Sequence, residues 1–119
     1  MCALACFAQI ASAQEETALA DGALLRGLDK VSGAVHDVAL RSGKSIEIGN
    51  LRVALGECRY PVANPVGDAF AHLNIRNVDT NDTVFNGWMI ASSPALNPLE
   101  HARYDVWVLR CAMAETSGE

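Results

Sequence analysis

Two stretches in the C-terminal half of the chain determine its fold class. Residues 83–91 read TVFNGWMIA, and residues 104–111 read YDVWVLRC. Both are rich in β-branched and aromatic residues, which favour strands, and both are apolar on either face when the side chains alternate. A strand with one face in water would alternate apolar and polar residues instead. We therefore predict two central strands covered by the protein itself; the alternative is a face that presents an apolar patch to a partner.

Outward from these strands, the chain consists of short apolar runs separated by turn signals. The signals recur every 8 to 12 residues or so, a spacing typical of all-β domains. They are Ser32-Gly33, Ser42-Gly43, Gly49-Asn50, residues 61–67 and residues 79–82. We predict a single antiparallel β-sandwich or small barrel of about seven strands.

The predicted β domain occupies residues 23–113, between a flexible lead-in at residues 14–22 and a flexible tail at residues 114–119. Its first run, residues 23–31, is ambiguous because the spacing of its leucines also fits one face of a helix.

A short helix is expected in the connection before the last strand. Ser93 is a good N-cap, and Pro94 suits the first helical position. Because Pro98 follows within one turn, the helix must be short. We predict a helical lid of one to two turns that packs Leu96 and Leu99 on the sheet.

The N-terminal segment has the features of an export signal. Residues 2–13 read CALACFAQIASA, an apolar block that ends in a small-x-small pattern. We predict that residues 1–13 are a signal peptide, cleaved near Ala13-Gln14 to give a periplasmic protein, and that its basic start is truncated. The alternatives are a short buried helix and lipidation at Cys6.

Removal of that segment leaves two cysteines, Cys58 and Cys111. Two cysteines in an exported domain most simply form one disulfide; two buried thiols are the alternative. Cys58 has the opposite parity to Leu51, Val53 and Leu55, which share one face of their strand. A β-bulge at Gly56 would return Cys58 to that face. Cys111 likewise has the opposite parity to the valines of its strand.

Composition and spacing exclude several classes of function. The chain has 119 residues, enough for one domain, and its 9 basic against 14 acidic residues give a net charge of −5, which disfavours nucleic-acid binding. Because no run of 18 apolar residues occurs, no transmembrane segment is expected. Neither metal-ligand spacing nor a dinucleotide motif is present, so we expect no metal and no cofactor.

Three motifs resemble chemical sites but have simpler interpretations. Residues 42–45, SGKS, lack the first glycine of a phosphate-binding loop, and residues 79–82, DTND, lack the glycine and distant glutamate of a calcium loop; both are better hairpin turns. Ser93, His101 and Asp105 contain the residue types of a hydrolytic triad, but no nucleophile-elbow sequence accompanies them.

The C-terminal block also resembles a known family. The run NGWMIASSPALNPLEH at residues 86–101, followed by YDVWV at 104–108 and by Cys111, is similar to the exported bacterial family catalogued as domain of unknown function 2155. The segments LDKVSG at 28–33 and CRYP at 58–61 also match, so the resemblance covers residues 23–112. It implies a small exported β domain without accepted catalytic residues. Its members are encoded beside accessory-protein genes of the respiratory proton-pumping NADH dehydrogenase, which implies a periplasmic accessory role.

These inferences predict a non-catalytic interaction module rather than an enzyme. We expect its partner to be a protein, that inner-membrane respiratory complex, bound through an apolar patch with a polar rim. The candidate partner-binding residues are Trp88, Met89, Ser93, Pro94, Leu96, Leu99, His101, Tyr104 and Trp107.

Two other functions remain open. One is a small-ligand or envelope-glycan binding module with an aromatic platform of Tyr60, Trp88, Tyr104 and Trp107. The other is a serine hydrolase built on Ser93, His101 and Asp105.

Overall fold

Short strands and tight turns make up the computed structural model, which describes residues 16–113. The predicted signal peptide and the predicted tail at 114–119 lie outside the described residues. Within them the strands are β1 Thr17–Leu19, β2 Gly22–Asp29, β3 Val35–Arg41, β4 Ser45–Ile48, β5 Leu51–Pro61, β6 Phe70–Asn77, β7 Thr83–Ile90 and β8 Tyr104–Ala112. The ambiguous first run of the predicted domain is thus a strand, β2.

The strands form two separate antiparallel sheets. The large sheet has the order β1-β5-β6-β7, and β4 also pairs with β5. The small sheet has the order β3-β2-β8. Because the sheets do not close on each other through strand pairing, the fold is a sandwich rather than a barrel. The predicted all-β antiparallel class is confirmed.

The described residues contain eight strands, where the sequence predicts about seven. The stretch at 14–22, interpreted above as a flexible lead-in, contains β1, which pairs with residues 59–61 of β5. A three-residue strand rich in small side chains is too short to show an alternating pattern.

The hydrophobic core fills the space between the sheets. Every second residue of β6, and of β5 as far as Leu55, points inward, as the alternation in the sequence predicts. The fully buried side chains come from both sheets: Leu25, Leu51, Val53, Leu55, Cys58, Leu73, Ile75, Val106 and Val108. Such burial supplies most of the free energy of folding of a small domain.

The predicted bulge and the predicted disulfide are both present. The register of β5 on β6 shifts between Leu55 and Glu57, so Gly56 is the extra residue and Cys58 returns to the core face. Cys58 is fully buried and forms a disulfide with Cys111 of β8, with a Cα–Cα distance of 5.7 Å. The disulfide therefore joins the two sheets.

Cys111 reaches that disulfide through a second bulge. The pairing of β8 with β2 moves from Val108 opposite Leu25 to Arg110 opposite Leu24, which leaves Leu109 as the extra residue. The strict alternation used above, which placed Cys111 on the face away from the valines, is therefore wrong. Each cysteine follows a bulge in its own strand, and both bulges turn the sulfur inward.

The helical lid before the last strand is absent. Pro94–Leu96 forms only a three-residue 3₁₀ turn, and the Ser93 side chain makes no capping hydrogen bond. Leu99 packs into the core, but Leu96 is 73% exposed. Pro98 lacks the backbone N–H that would bond the carbonyl of Pro94, so the turn does not continue as a helix, and residues 91–103 form an irregular strap from β7 to β8.

The prediction of two central strands is wrong as well. Among the described strands, β7 is the last strand of the large sheet and β8 is an edge of the small sheet. Trp88 on the outer face of β7 is 41% exposed. Both faces of these strands are therefore apolar because one face is buried and the other is partly exposed. This agrees with the alternative interpretation, an exposed apolar patch.

Candidate functional site

The structure divides the predicted partner-binding residues among three places. Met89, Leu99 and Tyr104 belong to the core, with exposures of 3%, 4% and 9%. Trp88 lies on the outer face of the large sheet, and Trp107 lies half-buried on the outer face of the small sheet. The remaining residues, Ser93, Pro94, Leu96 and His101, belong to the strap between β7 and β8. They do not form one continuous patch.

The outer face of the large sheet carries an apolar surface that we call the aromatic face: Arg59, Phe70, His72, Trp88 and Ile90. The strand register places Phe70 between Arg59 and Ile90, and places His72 opposite Trp88. The His72 and Trp88 rings meet edge-to-face, with centroids 5.1 Å apart and planes at 77°. Directly paired residues on one face of a sheet support each other in this way, so the indole is held in place although it is exposed.

A shallow hollow of about 330 Å³ lies on the aromatic face, between Thr17, Arg59, Phe70, Trp88 and Ile90. Its walls are apolar apart from the rim. Arg59 forms an ion pair with Glu57 at 2.5 Å, so a charged pair borders the apolar floor. An apolar centre with a polar border is the usual anatomy of a protein-binding surface.

This face is also less acidic than the rest of the molecule. The outer positions of β4, β5 and β6 carry three arginines and two glutamates, a small positive excess on a chain of net charge −5. Glu47 and Glu57 are each paired with an arginine, at 2.9 Å and 2.5 Å. Such exposed pairs contribute little to stability, but they leave the guanidinium of Arg76 without an acidic partner among the described residues.

The sequence predicted one residue of the aromatic face, Trp88. Phe70 and His72 share the parity of Asn74 and Arg76 in β6, so alternation alone gives that face a polar character. The signal that could have found the site is the pair of rings at positions 70 and 72, which both point to this outer face.

A second surface, which we call the β8 cleft, separates the strap from β8. It measures about 370 Å³ and is lined by Met89, Pro94, Ala95, Pro98, Asp105, Val106 and Trp107. Of the predicted partner-binding residues, it brings together Met89, Pro94 and Trp107. The prolines form one wall and the strand forms the other.

The strap is fixed to the body at both ends. At its start, the Ser92 backbone N–H and hydroxyl donate to Asp68 at 2.9 and 2.7 Å. In its middle, the Asn97 amide donates to the Trp88 carbonyl at 2.9 Å and so covers part of the free edge of β7. At its end, His101 Nδ1 accepts the backbone N–H groups of Arg103 and Tyr104, each at 3.1 Å.

An ion pair joins the end of the strap to the last residue of β2. Arg103 donates to both carboxylate oxygens of Asp29, at 3.3 and 3.1 Å. Hydrogen bonds from Arg103, opposed by partial desolvation and assisted by the backbone N–H groups of Val31 and Ser32, lower the pKa of Asp29 from 3.8 to about 2. Asp29 is therefore ionised wherever the protein is folded at ordinary pH.

The hydrolase and glycan-binding alternatives each require particular side chains to lie together. Within residues 16–113 no hydrogen bond joins Ser93, His101 and Asp105, the residues of the hydrolase alternative, and His101 Nδ1 is occupied by the strap's own backbone. Tyr60 and Tyr104 pack against the core, and the two tryptophans lie on different sheets, so the four aromatic residues of the glycan alternative do not form one platform.

The two loop motifs are turns. Residues 42–45 connect β3 to β4, with Gly43 at a positive φ of 84°, and residues 79–82 connect β6 to β7, with Asn81 at 62°. In the described part of the chain, no three His, Cys, Asp or Glu side chains are arranged to hold a metal ion. No helix in residues 16–113 is long and apolar enough to cross a bilayer.

Comparison with known proteins gives one family and one distant relative. A family model described as "Uncharacterized protein conserved in bacteria (DUF2155)" matches residues 23–111. An uncharacterized protein of Rickettsia prowazekii is 26% identical over 87 residues, which cover 71% of this chain and 56% of the relative. The chain therefore spans little more than half the length of that relative. No solved structure matches the chain.

Proposed function

Since the chain belongs to the bacterial family described as uncharacterized and numbered DUF2155, whose description assigns no reaction, we propose that it is a non-catalytic interaction protein of the periplasm. It binds a partner protein through the aromatic face. The observation that carries this proposal is the half-exposed indole of Trp88, held beside Phe70, His72 and Ile90 on the outer face of a sheet. Water-exposed aromatic clusters of this kind are typical of binding surfaces.

Export is supported by the disulfide and by the N-terminal sequence. A buried bond between Cys58 and Cys111 is stable in an oxidising compartment and is rare in a reducing cytosol. The apolar block that ends at Ala13 has the pattern of a signal peptide. The two observations are independent, because the bond lies far along the chain from the leader.

The partner that we propose is the periplasmic side of the respiratory proton-pumping NADH dehydrogenase. Its support is the resemblance described in the sequence analysis, whose family members are encoded beside accessory-protein genes of that complex. The chemistry of the aromatic face supports a protein partner. Its apolar floor, bordered by Arg59 and Glu57, suits a protein surface with exposed aliphatic residues and a few charged residues at its rim.

The proposal is tested by affinity capture of the tagged full chain from membranes of its own bacterium, solubilised in mild detergent. We expect subunits of the respiratory complex to be recovered with the unaltered chain. Trp88→Ala should reduce the recovery at least severalfold, because removal of a central aromatic side chain from an interface typically costs about 2 kcal/mol or more of binding.

The matched control is Val66→Ala, which removes another exposed apolar side chain, in the loop after β5 rather than on the aromatic face. Circular dichroism should show that both variants are folded. Recovery of the complex that is equal for the unaltered chain and Trp88→Ala would refute docking through this face. Recovery of the tagged chain alone would refute the partner.

A further inference from the structure

From the β8 cleft we infer a second binding site, independent of the aromatic face: an edge-strand site that takes an extended, basic and apolar peptide segment of another protein. The segment pairs with the free edge of β8 and places a Lys or Arg beside Asp105. The existence of this site does not depend on the partner proposed for the aromatic face.

The β8 cleft runs along one edge of β8. Three consecutive residues line it, Asp105, Val106 and Trp107. Side chains of consecutive strand residues point to opposite faces of the sheet, so a cavity that touches all three must run along an edge of the strand. Since β2 occupies one edge, the cleft runs along the other.

At that edge, the backbone of β8 faces the cleft rather than another described strand. Among the strands described in residues 16–113, β8 pairs with β2 alone. The next edge strand, β7, differs because the strap closes on it and Asn97 donates to the Trp88 carbonyl. The backbone groups of β8 that face the cleft are therefore the natural partners for an added strand, which would satisfy them with main-chain hydrogen bonds.

The residues that line the cleft determine which side chains of the bound segment fit there. Met89, Pro94, Pro98 and Val106 give an apolar lining, and the volume of about 370 Å³ lies within the range of ligand clefts. Asp105 is the acidic residue in this lining, and within the described residues its carboxylate has neither an ion pair nor a hydrogen bond. A cationic side chain next to an apolar one therefore complements the cleft.

A second copy of the same chain fits this chemistry poorly. A second copy brings the same net charge of −5, so two copies repel each other. A basic segment of a different protein is attracted to this acidic chain instead.

The test uses a phage-displayed library of random twelve-residue peptides as the probe, selected on the immobilised oxidised full chain. We expect enriched sequences that alternate apolar residues and contain Lys or Arg. Synthetic copies should bind Asp105→Asn about fivefold more weakly than the unaltered chain, as for loss of one partly exposed ion pair. Asp79→Asn, which removes an acid from the hairpin turn between β6 and β7, is the control and should bind normally.

Amide hydrogen exchange identifies the mode of binding. On peptide addition, exchange should slow in residues 105–108 of β8 and remain unchanged in β3, the opposite edge of the same sheet. The inference is overturned if no peptide is enriched, if the enriched peptides bind Asp105→Asn as tightly as the unaltered chain, or if β8 gains no protection. It is also overturned if sedimentation shows that β8 becomes protected by self-association.

Discussion

At the residue scale, the disulfide between Cys58 and Cys111 is the strongest single constraint on the chain. It joins positions 53 residues apart in sequence and links the large sheet to the small one. In the chain-entropy model, closing a loop of that length stabilises the folded state by about 4 kcal/mol. For a domain of this size, that contribution is comparable to the whole free energy of unfolding.

Replacing both cysteines, as Cys58→Ala and Cys111→Ala together, should therefore lower the free energy of unfolding by about 4 kcal/mol. The measurement is urea denaturation followed by tryptophan fluorescence. The unaltered chain treated with a strong reductant serves as the control and should lose a similar amount. An unchanged denaturation midpoint in the double variant would contradict the assigned role of the bond.

The Asp29–Arg103 pair predicts a specific response to acid. Because the folded state lowers the pKa of Asp29 from 3.8 to about 2, the folded state binds this proton less readily than the unfolded chain does. The stabilisation is present above pH 3.8 and is lost as the pH falls toward 2. Between about pH 5 and pH 2 the unaltered chain should lose more stability than Asp29→Asn does.

Thermal unfolding across that pH range measures the difference directly. Asp79→Asn is the matched control, since it removes an exposed acid whose carboxylate takes no hydrogen bond among the described residues; it should follow the unaltered chain. If the unfolding temperatures of the unaltered chain and of Asp29→Asn fall in parallel as the pH is lowered, the contact with Arg103 does not stabilise the folded state.

At the scale of elements, the two bulges determine which side chains reach the core. The bulge at Gly56 reverses the facing of every later residue in β5, and the bulge at Leu109 does the same in β8. A one-residue change in register moves a whole run of side chains to the opposite face. The disulfide is possible only because both reversals occur.

Deletion of Gly56 should therefore turn Cys58 to the outer face of the large sheet and prevent the disulfide. Mass spectrometry after alkylation in denaturant should find Cys58 and Cys111 both modified. Gly56→Ala keeps the residue count and requires only a small movement of the His72 ring, 3.3 Å from the added carbon, so its disulfide should form. A disulfide in the deletion variant as complete as in Gly56→Ala would contradict the bulge account.

Local signals explain which elements could be predicted from sequence. A glycine marked the first bulge, and turn residues marked most strand ends. The second bulge has no such marker, because Leu109 is an ordinary strand residue. The prediction of a helix at Pro94 was wrong because Ser93 makes no capping hydrogen bond and Pro98 removes a backbone donor one turn later.

At the scale of the whole molecule, the pairing order of strands determines what is exposed, and that order is not local in sequence. Residues 83–91 have the composition of a buried strand, yet β7 lies at the edge of its sheet. Sequence reasoning therefore grouped Trp88 with Trp107, whereas the fold separates them onto different sheets. Ile90 follows Trp88 on the same strand, but Phe70 and His72 join them only through the pairing of β6 with β7.

The central claim is that the aromatic face is the docking surface of an exported protein, and site-specific photo-crosslinking in the living bacterium tests it most directly. A photoreactive phenylalanine analogue would replace Phe70 on the aromatic face in one variant, which leaves Trp88 intact, and Ala39, exposed on the outer face of the small sheet, in another. We predict adducts with subunits of the respiratory complex from position 70 and none from position 39. The absence of adducts from position 70, or equal adducts from both positions, would contradict the account.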